Sequence, residues 1–220
     1  MNIVTKNIYC ISGLGADERA FERLAINGYA LQHLKSIDPL NNETLSSYAA
    51  RMLEQVKDEN PVLLGLSFGG MIAVEVAKHI AVEKLILISS VKTCNEIPKW
   101  MRVAGTLNLH KFIPIKTNRF TEKADDRRMG IETIEEKNFV DHYRKNANQK
   151  YIDWAIGQIL NWRNALVPEN TFHIHGENDR MFPLKNIQPT HIIKNGTHIM
   201  ILNRAKEIST CIEQIVFGKP

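Results

Sequence analysis

Six short apolar runs, continuous rather than alternating, constrain this 220-residue chain more than any other feature. They are NIYCIS from Asn7, YALQHLKS from Tyr29, PVLLGLS from Pro61, KLILISS from Lys84, TFHIHG from Thr171 and THIIKNG from Thr190. A strand that is apolar on both sides must be covered on both faces, which is the condition of a parallel sheet. Helical patterns lie between most of the runs. DERAFERLA can be capped by Asp17, and ETLSSYAARMLEQVKDE puts Leu45, Tyr48, Ala49, Met52 and Val56 on one face. GGMIAVEVAKHI follows the third run, and NRAKEISTCIEQIVF closes the chain with Asn203 as its expected cap. Strands alternating with helices require right-handed crossovers, so the expected fold is α/β: three layers, about six mostly parallel strands and helices on both faces.

The rhythm breaks between residues 91 and 168, where no strand pattern occurs. Helical stretches such as IPKWMRVAGTLNLHKF and KYIDWAIGQILNWRN are joined there by a polar stretch, KTNRFTEKADDRRMG. The charge run Asp125–Arg128 within it reads as a solvated loop. The expected division is a core of residues 1–90 and 169–220 with a helical cap inserted at 91–168. Trp100, Met101, Phe112 and Trp154 are the aromatic and sulfur-bearing groups expected to form the cap's core and roof a pocket.

Composition narrows the function. A chain of this length can bury one sizeable core, and 44% hydrophobic with 24% charged residues excludes a disordered chain. The net charge of +4 is spread among acids, with no basic stripe for nucleic acid. No apolar stretch approaches the ~18 residues of a membrane span, and the N-terminal segment lacks a signal-type apolar core. Cys10, Cys94 and Cys211 are odd in number and lack CxxC spacing, against a disulfide framework or zinc site and for a reducing compartment. The expected location is the cytoplasm.

Gly65-Leu66-Ser67-Phe68-Gly69 fits the pattern G-x-S-x-G, and it sits where an apolar strand gives way to a helix. A serine on such a turn is displayed in strained backbone, and its flanks approach neighbouring chain too closely for side chains. The helix that begins there directs free N–H groups and its positive dipole end at the site. A nucleophilic serine needs a base, and the base an orienting carboxylate. Asp179 follows the strand TFHIHG, and His198 follows the last strand. Parallel strands bring their C-terminal ends together, so Ser67, Asp179 and His198 are expected at one edge of the sheet, in the order Ser, Asp, His.

The competitors are Glu177, two residues before Asp179, and Asp153, on a helical pattern. After KLILISS no acid occurs before Glu96. His173 and His175 share a strand face, and without a third ligand they read as packed histidines rather than metal ligands. The backbone N–H groups of Phe68 and of Leu14, in the glycine-containing loop SGLGADERAF, are the expected oxyanion donors.

With these residues in place, the chain resembles the α/β-hydrolase superfamily over nearly its whole length. ISGLGADERAF resembles the oxyanion loop, GLSFGG the nucleophile elbow, IHGENDRMFP the acid turn and NGTHIMILNRAKEI the histidine loop with its final helix. The resemblance implies an esterase-like serine hydrolase acting on a small acyl substrate, with no cofactor, metal, nucleic acid or membrane. It leaves open a hydroxynitrile-lyase type of reaction, a thioesterase or acyltransferase, and a ligand-binding protein on the same scaffold. Two features depart from the family pattern: Ser12-Gly13 stands where His-Gly is common, and the chain starts at the family's third strand.

Overall fold

The computed structural model describes residues 6–107 and 119–218. Six strands form one sheet: β1 (Lys6–Ile11), β2 (Tyr29–His33), β3 (Val62–Leu66), β4 (Lys84–Ile88), β5 (Thr171–Gly176) and β6 (His191–Ile193). Their order is β2-β1-β3-β4-β5-β6, and every pairing is parallel. The continuous apolarity of β3 and β4 has the cause expected of it. Leu63, Leu85 and Leu87 pack on one face with Tyr48, Met52, Met71 and Ile72, whereas Leu64, Ile86 and Ile88 pack on the other with Ile208, Ile212 and Ile215. Burying each such side chain contributes about 1.5–3 kcal/mol.

The first face is covered by α1 (Leu45–Met52) and α2 (Phe68–Val76), the second by α8 (Ala205–Phe217). Thr44 caps α1 by accepting from the Ser47 amide at 3.2 Å. Four of the five residues expected on one helical face, Leu45, Tyr48, Ala49 and Met52, are buried in α1, while Val56 lies beyond its end in extended backbone. DERAFERLA yields only the 3-10 turn Glu18–Phe21, which Asp17 caps. Just beyond this turn, Leu24 and Ile26 drop into the core ahead of β2, leaving no length for a helix.

Between β4 and β5 lie α3 (Lys99–Thr106), α4 (Arg119–Met129), α5 (Ile134–Asn146) and α6 (Gln149–Asn161), with no strand among the described residues. The run Asp125–Arg128 is therefore helix, not loop. Its helix lacks an apolar stripe, and cross-helix charge pairs stand in for one: Arg144 reaches Asp125 and Asp126 at 2.6 Å each. Thr133 and Glu136 form a capping box that starts α5. α6 docks on the core through Tyr151 and Ala155, and the Trp154 indole donates to the Glu43 carbonyl at 2.8 Å. An added Cβ at Gly105 would lie 2.1 Å from the Leu160 carbonyl oxygen, so only glycine lets α3 approach α6 this closely. Met101 is buried, but Trp100 is 52% exposed and faces the Arg128 guanidinium. Phe112 lies outside the described residues.

Asn203 does not cap the last helix. It ends a short α7 (Met200–Asn203), and its amide donates instead to the buried Glu136 carboxylate at 2.6 Å; α8 starts without a side-chain cap. No described helix is long and apolar enough to cross a membrane. The three cysteines are unbridged.

Candidate active site

The strand order reverses at β1, with β2 on one side and β3 on the other. In an open parallel sheet this divergence leaves a crevice beyond the C-terminal strand ends. Ser67 stands there, between β3 and α2, half-buried at φ 52° and ψ −119°. For a residue with a Cβ this conformation costs about 1–3 kcal/mol and persists only when its surroundings dictate it. Its own amide donates to the Ile88 carbonyl at 2.9 Å. Its carbonyl accepts from the Gly70 amide at 2.9 Å and from the Ser90 hydroxyl at 2.6 Å. The flanking glycines are sterically required. A Cβ on Gly65 would sit 2.5 Å from the Gly70 Cα, and one on Gly69 would sit 2.1 Å from the Ile11 carbonyl oxygen.

Ser67, His198 and Asp179, separated in sequence, meet at this edge. His198 Nε2 is 2.9 Å from Ser67 Oγ, and His198 Nδ1 is 2.9 Å from Asp179 Oδ2. The other carboxylate oxygen accepts from the Met181 and Phe182 amides at 2.8 and 2.9 Å. Asp179 is only 3% exposed, and burial pushes its pKa up. The His198 ring, the nearby His175 and the Phe182 amide outweigh that penalty and hold it below the ordinary carboxylate value. An ionised Asp179 only accepts, so Nδ1 of His198 carries a proton toward it, while Nε2 faces the serine hydroxyl. Phe182 stacks edge-on against the imidazole, with ring centroids 5.6 Å apart.

The rival acids stand elsewhere. Glu177 is exposed and accepts from the Asn195 amide at 3.0 Å, bracing the loop after β6. Asp153 is exposed on α6, accepting from Gln149.

The loop after β1 lies against the serine: a Cβ on Gly13 would be 3.3 Å from Ser67 Cβ and 3.9 Å from its Oγ. Leu14 follows in that loop, and Phe68 is the first residue of α2, whose opening amides have no carbonyl within the helix to bond. Ser12 closes the loop by donating to the Ala16 carbonyl at 2.6 Å. That uses its single proton, so the 3.2 Å contact with His33 requires His33 Nε2–H as donor. Ser12 therefore serves the loop itself.

His173 and His175 are packed and fully buried, and they are also linked to the acid. His175 Nε2 lies 2.8 Å from the Phe182 carbonyl and 3.5 Å from Asp179 Oδ2. Because that carbonyl can only accept, His175 donates from Nε2, and its Nδ1 accepts from His173 Nε2 at 3.2 Å. Burial pushes both pKa values down, furthest for His173, which keeps the pair neutral. Sequence reading saw the shared strand face but not this reach to the acid; the four-residue step from His175 to Asp179 across the strand end was its one signal. Ser90, which braces the Ser67 carbonyl, was signalled by the doubled serine that follows β4. Among the described residues, no group of three or more His, Cys, Asp or Glu side chains is placed to hold a metal ion.

No family model and no curated protein sequence matches the chain. Solved structures do. MenH from S. aureus superposes with a TM-score of 0.72 at 17% identity, over 98% of this chain and 94% of that one. A thermophilic esterase from Thermogutta terrifontis gives 0.71 at 12% identity, over 97% and 90%. A lipase-esterase related protein from Clostridium acetobutylicum ATCC 824 gives 0.67 at 14% identity, over 96% and 94%. At these identities the likeness speaks for architecture. An all-parallel sheet in this strand order, covered on both faces and matched end to end by these structures, identifies the α/β-hydrolase fold.

Proposed function

We propose that the protein is a serine hydrolase that cleaves small carboxylic esters or thioesters through an acyl-enzyme. The observation that carries this reading is the unbroken chain of two 2.9 Å bonds from Ser67 through His198 to Asp179, built around a strained serine. Two of the similar structures are named for esterase or lipase-esterase activity, which agrees with it.

His198 removes the Ser67 proton as Oγ attacks the acyl carbonyl. The tetrahedral oxyanion accepts from the Leu14 and Phe68 amides, a contact class worth about 3 kcal/mol per donor. Its collapse breaks the bond to the leaving alcohol or thiol, which takes the proton from His198. Water then gives a proton to the same imidazole, attacks the acyl-Ser67 ester and releases the acid, returning the proton to Oγ. Asp179 stays ionised and stabilises the imidazolium in both halves. These steps draw only on the chain's own groups, a small acyl substrate and water. The helices at 91–168 act as a cap over the crevice. The unbridged cysteines suit a reducing cytoplasm.

The test is labelling with a fluorophosphonate together with a screen of p-nitrophenyl esters, thioesters and lactones, with Ser67→Ala as blank. Labelling at Ser67 and turnover absent from the variant are expected. Turnover retained by Ser67→Ala sinks the assignment. Cleavage of a cyanohydrin without any acyl-enzyme would replace the hydrolase reading by a lyase.

A further inference from the structure

Phe182 touches the acid and the base at once. Its amide donates to the Asp179 carboxylate at 2.9 Å, and its ring lies edge-on to the His198 imidazole with centroids 5.6 Å apart. The residue is 3% exposed and is followed by Pro183, which has no amide to anchor the chain there. Among the described residues its carbonyl has one hydrogen-bond partner, the Nε2–H of His175 at 2.8 Å. His175 is itself held firmly. It lies on β5 between β4 and β6 and is fully buried. His173 Nε2 donates to its Nδ1 at 3.2 Å, and the two rings stand at 83° to each other. The His175 ring is thus fixed in one tautomer and one orientation. The same Nε2–H lies 3.5 Å from Asp179 Oδ2, the oxygen that faces His198. At that distance it acts as a dipole rather than a full hydrogen bond. Burial keeps the histidine pair neutral, so the dipole orients the carboxylate without cancelling its charge.

We propose that His175 is a positioning residue for the site: by holding the Phe182 carbonyl it sets the Asp179 carboxylate and the His198 ring in line with Ser67. It touches neither the substrate nor the reacting atoms. Without its N–H a buried carbonyl is left unpaired, the 179–182 turn is released to shift, and the imidazole loses the fixed ring against its edge. A misplacement of about 1 Å in such a site costs on the order of a hundredfold in rate. The effect on turnover rests on the hydrolase reading; the geometry that His175 sets does not.

The test compares His175→Gln, whose amide nitrogen can stand where Nε2 stands, with His175→Asn, which is too short to reach the Phe182 carbonyl. If the Asn variant does not fold, His175→Leu takes its place as the arm without a donor. Turnover of a p-nitrophenyl ester is counted per site titrated with a fluorophosphonate, so that unfolded protein does not enter the rate. In the arm without a donor, kcat per site should fall about tenfold or more while KM stays within about twofold, and His175→Gln should recover most of the loss. Proton NMR reads the same geometry without turnover. The downfield Nδ1–H resonance of His198, assigned by its loss from His198→Ala, should persist in His175→Gln and shift or exchange away in the arm without a donor. An unchanged kcat per site in that arm, an equal loss in His175→Gln, or a resonance that does not move overturns the proposal. If the wild-type protein turns over no ester at all, the hydrolase reading fails and the resonance alone decides: absent from the wild type, or unmoved without the donor, it overturns the positioning role.

Discussion

The β3–α2 turn and the helices between β4 and β5 are held by different kinds of force. At the turn, position is dictated by contact: Gly65, Gly69 and Gly70 face neighbouring atoms that exclude any side chain, and Ser67 is pinned at an unfavourable φ by three backbone and hydroxyl bonds. In the insertion, α4 and α5 are tied by partly buried charge pairs centred on Arg144, α5 starts on a capping box, and α3 leaves Trp100, Val103 and Leu107 facing outward. Hard contact fixes a geometry to tenths of an ångström, whereas charge pairs fix it less sharply and weaken with salt where they reach solvent. On the proposed hydrolase reading, the nucleophile stands in the first kind of setting and the cap is built from the second.

Changes at the turn should break this comparison hardest. Ser67→Ala is expected to lower ester turnover by about ten-thousand-fold or more while moving the thermal midpoint only a few degrees, read by paired kinetics and calorimetry. Asp179→Asn should cost about the same order in kcat, because the amide leaves His198 in the wrong tautomer. Glu177→Gln should leave the rate near wild type, and a reversal of these two results would move the acid by two residues. Gly69→Ala should destabilise the fold by about 3 kcal/mol or more, since the new methyl meets the Ile11 and Ser12 carbonyls and no flexible group can give way.

The buried histidines sharpen the contrast through pH. Their native pKa values lie below the free value of about 6.5, so the unfolded state binds more protons in the window below that value. Stability should therefore be full above about pH 6.5 and decline as pH falls through the window. Replacing His173 by Leu should flatten the slope, which denaturant titrations at pH 7 and 5 would read. The smallest effect belongs to the insertion. Arg144→Gln should cost about 1–3 kcal/mol, because its mostly buried guanidinium holds Asp125 and Asp126, and should leave kcat unchanged.

The same division explains what could be read from the residues alone. The strands announce themselves because two-sided burial forces continuous apolarity, and the serine, acid and histidine follow from the topology that this burial dictates. The α4 helix was missed because NRFTEKADDRRMG carries no apolar period; Arg144, in the next helix, supplies what holds it. Asn203 looked like a cap until Glu136, 67 residues away, claimed its amide. Long-range polar pairing leaves no periodic trace, so it stays hidden where hydrophobic patterning is plain.

Ser67 and His198 are 131 residues apart and touch only because β6 has joined the far edge of the sheet. A nascent chain emerging from the ribosome thus displays its hydroxyl long before the imidazole that would activate it is synthesised. On the proposed hydrolase reading, a chain cut anywhere between residues 67 and 198 keeps the hydroxyl and loses its base.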